Sequence, residues 1–366
     1  MDGRKILVLR LSAIGDVLRT LPAVKALKEH DPSSHITWVV EEPSKDLLES
    51  QPEIDEVILF PRKRWTEGLK SPLAWYKTAK EVRDFVQALR QKQFDLALDF
   101  HGMLKSGLIS FLSGSRRRIG FDRRSTKGGS FLFSNVKVVL PGEKINRYRR
   151  NLVLLRGIGL EIKDFQPSLH LLAKDRKWAD SFFSQLPNPL RRPFIVIHPW
   201  TSPKTPYKRW LPDRYSQLAD RLVRELGAGV LYTWGPGEME WVEEIRNHMK
   251  EPSFLAPRTE SLTQLGEIFR RCDLYIGGDT GPLHIASLVG TPIVAIFGPT
   301  HPVVNEPAGP HRVIRKDVRC NPCRKYFCED LTCMRSVTVD DVFGSVREIL
   351  NERATSSLSA LEVGEI

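Results

Sequence analysis

No stretch of this 366-residue chain approaches the roughly 18 consecutive apolar residues that a membrane-spanning helix needs, so none is expected. The N-terminal apolar run Ile6-Leu7-Val8-Leu9 is too short for a signal-peptide core and is closed by Arg10, which points to a cytoplasmic protein. No Gly-x-Gly-x-x-Gly follows the first predicted strand, which argues against a dinucleotide-binding first domain. Helix-turn-helix, zinc-finger and RNA-recognition patterns are missing too, so no nucleic acid is expected as a partner. No repeat of fixed period occurs. Cysteine is scarce: there are five, and Cys272 stands alone in a predicted strand. The other four, Cys320, Cys323, Cys328 and Cys333, are spaced C-x2-C-x4-C-x4-C. In a cytosolic chain such a cluster is metal-binding or inert more often than disulfide-bonded. Four thiolates would complete a closed tetrahedral zinc site, with a structural role and no part in catalysis.

Acidic residues are short in one half only. Residues 1–175 hold 31 Lys/Arg against 21 Asp/Glu, a net of +10, and the rest hold 24 against 23, a net of +1. The excess is concentrated in Arg62-Lys63-Arg64, Arg116-Arg117-Arg118, Arg123-Arg124, and Arg147 with Arg149-Arg150. An anionic substrate, an anionic membrane surface or a merely solvated basic face would each account for it.

Short β-branched runs alternate with helical patterns twice along the chain, which predicts two parallel sheets wrapped in helices. In the first half, strands are expected over 5–10, 35–40, 56–60 and 94–99, with helices over 15–29, 72–91, 103–112 and 144–156. A connecting region spans about 160–193 and closes in the turn-rich Leu186-Pro187-Asn188-Pro189. Alternation then resumes, with strands over 194–198, 229–233, 273–277 and 293–297 and helices over 213–226, 238–249, 262–272, 282–289 and 338–350. The expected organisation is a domain over 1–175, a second over 176–353, and a frayed tail over 354–366. Two such halves imply a cleft between them.

Four loops at predicted strand ends carry residues suited to chemistry. Ligands of open α/β sheets bind beyond the carboxyl ends of the strands. Gly277-Gly278-Asp279-Thr280-Gly281-Pro282-Leu283-His284 joins a strand to a helix. Its glycines allow close approach, and the helix N-terminus favours an anion. The same sequence would also serve as ordinary α/β punctuation. Asp16, after the first strand, is either a general base or a carboxylate complementing the helix dipole, the latter worth about 0.3–1 kcal/mol. The loop from Pro199 to Trp210 sets Thr201, Ser202, Lys204, Lys208 and Arg209 where they suit a diphosphate. Glu238 follows Trp234-Gly235-Pro236-Gly237 and either accepts hydrogen bonds from a ribose or caps its helix. Arg62, Lys63, Arg64 and His101 occupy the matching edge of the first half, as candidates for gripping an acceptor.

Leu11-Ser12-Ala13-Ile14-Gly15-Asp16-Val17, Lys208-Arg209-Trp210 and Gly278-Asp279-Thr280-Gly281-Pro282-Leu283-His284 together resemble the ADP-heptose:lipopolysaccharide heptosyltransferases of glycosyltransferase family 9. The likeness covers nearly the whole chain. Trp38-Val39-Val40-Glu41-Glu42, Arg62–Trp65 and Asp99-Phe100-His101-Gly102-Met103-Leu104-Lys105-Ser106 further resemble the heptosyltransferase I branch, which adds the first heptose to Kdo. The resemblance implies a GT-B fold, with two Rossmann-like doubly wound domains facing across a cleft, the first for acceptor and the second for donor. It implies inverting transfer of L-glycero-D-manno-heptose from ADP-heptose, with no cofactor or catalytic metal. Asp16 would be the base, and Thr201, Ser202 and Lys208 would hold the donor's phosphates or heptose. Glu238 would bind the adenosine ribose, and Asp279, Thr280, Gly281 and His284 would surround the donor sugar and diphosphate. The implied acceptor is Kdo-lipid A or inner-core lipopolysaccharide, met by a peripheral enzyme on the anionic cytoplasmic face of the inner membrane. A heptosyltransferase of type II or III, or a nucleotide-sugar enzyme such as an epimerase, is the alternative.

Overall fold

The computed structural model describes residues 3–187, 190–323 and 327–362 and divides the chain into two units, 1–166 and 167–366. The first unit runs β1 (Lys5–Leu9), α1 (Ile14–Leu18), α2 (Leu21–His30), β2 (His35–Val40), α3 (Lys45–Glu49), β3 (Glu56–Leu59), α4 (Arg62–Gly68), α5 (Trp75–Gln91), β4 (Leu96–Asp99), α6 (Leu104–Leu112), β5 (Arg117–Phe121), β6 (Val136–Val138) and α7 (Arg147–Leu154). Its six strands are all parallel, in the order β3-β2-β1-β4-β5-β6. The central strands β1, β2 and β4 are largely apolar and buried because helices cover both faces of such a sheet. Leu7, Leu9, Val39 and Ala97 form its core together with Leu89 of α5 and Ile109 of α6.

The second unit runs α8 (Ala173–Phe183), β7 (Phe194–His198), α9 (Pro212–Leu226), β8 (Gly229–Tyr232), α10 (Met239–Asn247), β9 (Phe254–Leu255), α11 (Leu262–Arg270), β10 (Leu274–Gly278), α12 (Gly281–Leu288), β11 (Ile293–Ile296), α13 (Pro302–Asn305), β12 (His311–Ile314), α14 (Thr332–Arg335) and α15 (Val339–Glu362). Its parallel sheet is ordered β12-β11-β10-β7-β8-β9. Renumbered from its own first strand this is 6-5-4-1-2-3, the same doubly wound order as the first sheet read from the other edge. Each sheet therefore reverses its winding once, between β1 and β4 in one and between β7 and β10 in the other. Loops that leave the carboxyl ends of those pairs diverge to opposite faces and open a crevice, the usual ligand position in this architecture.

Several elements depart from the sequence-based expectation, which did not include the strands β5, β6, β9 and β12 or the short helices α3, α4, α13 and α14. The helix predicted over 15–29 is two helices, α1 and α2, because Pro22, in the first turn of α2, has no amide hydrogen to give the Leu18 carbonyl and so interrupts the ladder there. The connecting region expected over 160–193 contains α8, anchored where Thr263 Oγ1 donates to the buried Asp175 carboxylate at 2.7 Å. The last helix extends to Glu362 rather than ending near 350.

One glycine sets the geometry of the second crevice. A Cβ on Gly277 would lie 2.5 Å from the Tyr275 hydroxyl and 2.9 Å from the His198 carbonyl oxygen. Only glycine lets the end of β10 lie this close to β7.

Candidate active site

In the first unit the loop after β1 places Asp16 in the first turn of α1, with its side chain mostly buried. Three guanidiniums surround the carboxylate. Arg10 Nη2 lies 2.7 Å from Oδ2, and Arg19 Nη1 and Arg147 Nη1 lie 3.0 and 2.6 Å from Oδ1. Arg10 directly follows β1 and is fixed in turn, donating to the Phe100 carbonyl at 2.6 Å while Trp38 Nε1 donates to the Arg10 carbonyl at 3.1 Å. Burial pushes the Asp16 pKa up, but Arg10, Arg147 and Arg19 outweigh it and hold the carboxyl well below the usual carboxylate range. Asp16 is thus ionised, an acceptor of hydrogen bonds only, in a cradle with surplus positive charge.

The same surplus marks the neighbouring loop after β4. His101 is pushed down to about 3, by burial first and then by Arg10 and Lys105, so its imidazole is neutral. Among the described residues its Nδ1 meets no hydrogen-bond partner. Asp99 shapes this turn: the backbone amides of His101 and Gly102 donate to Oδ1 at 3.0 Å each, and Ser130 Oγ donates to Oδ2 at 2.8 Å. Gly102, at φ +66°, supplies the left-handed backbone the turn requires. Arg150, lowered to about 10 by burial and then by Arg10 and Arg147, packs on the Phe121 ring at 3.9 Å.

Of the other acceptor candidates, Arg62 Nε reaches Glu41 Oε1 at 3.0 Å, and Arg64 Nε donates to Glu81 at 2.9 Å. Lys63 is exposed on α4. Glu41 also receives Lys105 Nζ at 2.9 Å and Ser12 Oγ at 3.4 Å. This buried carboxylate ties α4 and α6 to the loop that carries Asp16. Sequence reasoning missed Glu41 and the cradle of Arg10, Arg19 and Arg147. Only Arg19, three residues beyond Asp16, has a spacing that signals a helical pair.

In the second unit, Lys208 Nζ from the loop after β7 and Asp279 Oδ2 from the loop after β10 are 2.9 Å apart. This bridge spans the β7/β10 reversal at the N-terminus of α12, where Thr280 is the N-cap and Gly281 the first helical residue. Thr201 is buried and donates its hydroxyl to the Thr205 carbonyl at 2.8 Å, which closes its own loop. Ser202 is exposed, and its Oγ accepts the Lys204 amide at 3.3 Å. His284 lies fully inside the packed face of α12.

Glu238 folds back on its turn and accepts the Gly235 amide at 2.6 Å. Burial pushes its carboxyl up to about 7, opposed by that hydrogen bond and by Arg209. His198, 3.7 Å away, is lowered to about 4 by burial, so the two do not form an ion pair at neutral pH. Arg209 stacks 3.3 Å above the Trp200 ring and also approaches Trp241. The loop after β11, Gly298-Pro299-Thr300-His301, adjoins the Asp279 loop because β11 pairs with β10. Sequence reasoning missed it, although it repeats the same strand-turn-helix pattern.

Among the described residues, no three His, Cys, Asp or Glu side chains are grouped to hold a metal. The four clustered cysteines range from exposed Cys320 to buried Cys333, and residues 324–326 within that segment lie outside the described ones.

Two doubly wound parallel sheets, with charged loops at both reversals, are the two Rossmann-like units of a GT-B fold. The fold is shared with the Escherichia coli heptosyltransferase WaaC solved with ADP, at a TM-score of 0.74 and 21% identity over 94% of this chain and 99% of that one. The model of glycosyltransferase family 9 (heptosyltransferase) matches residues 82–333, and the chain belongs to that family. It is 28% identical over 308 residues to the lipopolysaccharide core heptosyltransferase OpsX of Haemophilus influenzae, covering 83% of this chain and 82% of that protein. It is 27% identical over 331 residues to lipopolysaccharide heptosyltransferase 1 of Pseudomonas aeruginosa, covering 88% and 87%.

Proposed function

We propose that the enzyme transfers L-glycero-D-manno-heptose from ADP-heptose to the Kdo region of lipopolysaccharide, as a type I heptosyltransferase working at the cytoplasmic face of the inner membrane. The names of the relatives support the acceptor class. The observation that carries the chemistry is the Lys208–Asp279 bridge at the N-terminus of α12, which combines a fixed ammonium with free helical amides where a diphosphate would bind. In this reading the acceptor hydroxyl gives its proton to Asp16 as its oxygen attacks the anomeric carbon. The bond from that carbon to the β-phosphate oxygen breaks, ADP leaves, and the configuration inverts. Lys208, Thr280 and the amides of α12 stabilise the charge that grows on the departing phosphate. The first unit handles the acceptor and the second the donor. Mass spectrometry of products tests the reading: incubation with ADP-heptose should add one heptosyl residue to Kdo-lipid A. Addition only to an already heptosylated core would reassign the type, and addition to neither would overturn the proposal.

Glu238 gives this reading a pH signature. A ribose hydroxyl donates more strongly to a carboxylate than to a neutral carboxyl, so ionised Glu238 binds the donor better than the protonated form. With a carboxyl near 7, affinity for ADP-heptose should rise with pH through neutrality. The gain from pH 6 to 8 should reach at most about tenfold, because roughly a tenth of the carboxyl is ionised one unit below its pKa. Titration calorimetry should find this slope flattened in Glu238→Gln. A slope that survives the substitution would remove Glu238 from the ribose role.

A further inference from the structure

Large apolar side chains are exposed mainly on one unit. Among the described residues, ten of twelve such side chains belong to the first unit. Four fall within eight residues, between the end of α4 and the start of α5: Leu69, Leu73, Trp75 and Tyr76, with Leu73 98% and Tyr76 84% exposed. Interleaved with them are exposed Lys70 and Lys77, and residues 68–80 contain no Asp or Glu. A soluble surface rarely keeps such a patch without a partner.

The fold fixes where this segment lies. In a parallel sheet the helix leading into each strand begins at the carboxyl edge, so α5 and α6 both start at the edge where the Asp16 loop opens. Their C-terminal ends are held together by Arg90 Nε donating to the Leu112 carbonyl at 2.9 Å. With 17 residues against 9, α5 then projects on the order of 10 Å beyond the start of α6. Its tip carries Trp75 and Tyr76. Behind it, Leu104, Leu108 and Phe111 form a second exposed apolar row at helical spacing on α6.

We propose that the 69–77 segment is a docking surface for an anionic lipid bilayer, which seats the first unit with its carboxyl edge toward the headgroups. This deepens the membrane-face reading above and rests on it. Leucine, tryptophan and tyrosine set among lysines match the layered chemistry of an interface, where amphipathic rings sit at headgroup level and ammonium groups meet lipid phosphates. A second copy of this chain fits the patch less well, since it would bring lysines against lysines. Among the described residues no helix is long and apolar enough to cross a membrane.

The test is co-sedimentation of the full-length chain with vesicles of phosphatidylethanolamine containing one quarter phosphatidylglycerol. L73S/W75S/Y76S and, separately, K70E/K77E are compared with wild type, along with transfer to a detergent-dispersed acceptor. The wild-type chain should bind, either variant should lose at least tenfold in partitioning, and transfer to dispersed acceptor should be retained. Absence of wild-type binding, or equal binding by L73S/W75S/Y76S, would overturn the docking surface. So would a wild-type dimer by light scattering that the same variant converts to monomer, since the face would then belong to a second copy. Vesicle binding without transfer to any lipid acceptor would instead refute the proposed function and leave the surface standing.

Discussion

Asp16→Asn is expected to slow heptose transfer by about 100- to 10,000-fold, the range typical of a lost general base. Affinity for ADP-heptose should stay within about twofold of wild type, since the donor-holding candidates are in the other unit and an uncharged base is not a donor contact. The arginine cradle makes the result informative. A carboxylate held ionised by three guanidiniums resists protonation, so free-enzyme kcat/KM should show no acid limb from Asp16 near neutral pH. Arg147, the most exposed of the three, can be removed without touching the others. Arg147→Gln should move the Asp16 pKa upward and bring an acid limb toward the measurable range. Such a shift reports on proton affinity at Asp16 in a way that a merely structural arginine would not. Asp16→Asn also leaves buried Arg10 without its carboxylate, and breaking a buried pair costs about 3–5 kcal/mol of stability. Thermal unfolding and ADP-heptose titration of the same preparation separate a chemical loss from an unfolded protein. A folded variant that transfers within about fivefold of wild type would end the assignment of Asp16 as base.

The alternation of apolar runs and helical patterns reveals both sheets, because strands buried on two faces have little freedom in composition. The strand-end positions of Asp16, Lys208, Glu238 and Asp279 are legible for a related reason: each follows a run that reads as a strand. What surrounds them is less legible. Arg147 reaches Asp16 from 131 positions away, and Glu41 joins α4, α6 and the Ser12 loop through contacts that no spacing rule encodes. Thr201 shows a competing use of a side chain. Its hydroxyl suits a phosphate by type and position, yet it closes its own loop on Thr205. Local turns compete for Ser and Thr hydroxyls wherever a backbone carbonyl is near, and the sequence does not show which wins. Splitting of the predicted first helix follows from Pro22, a signal present in the sequence that the apolar periodicity masks.

Lys208→Ala should weaken ADP-heptose binding by roughly 10- to 150-fold, the equivalent of about 1.5–3 kcal/mol for one hydrogen bond to a charged group. ADP itself should lose a similar factor, because an ammonium aimed at the diphosphate does not distinguish the sugar. Lys208→Arg should recover only part of the loss. The guanidinium keeps the charge but replaces a compact three-donor head with a planar fork that the 2.9 Å approach to Asp279 does not accommodate in the same place. The partner adds a sharper criterion. If Asp279 serves by holding Lys208 in position, Asp279→Asn should weaken donor binding less than Lys208→Ala, and the double variant should lose no more than Lys208→Ala alone. Strictly additive losses, measured by calorimetry with ADP and with ADP-heptose, would show two independent contacts and dissolve the bridge as a functional unit. The comparison with Asp16→Asn then divides the labour between the two sheets. A change in donor affinity with Lys208 variants and in rate alone with Asp16→Asn assigns binding of the nucleotide to the β7/β10 reversal and activation of the acceptor to the β1/β4 reversal. Coupled losses at both positions would instead mean that the donor's own position depends on the charge of the arginine cradle.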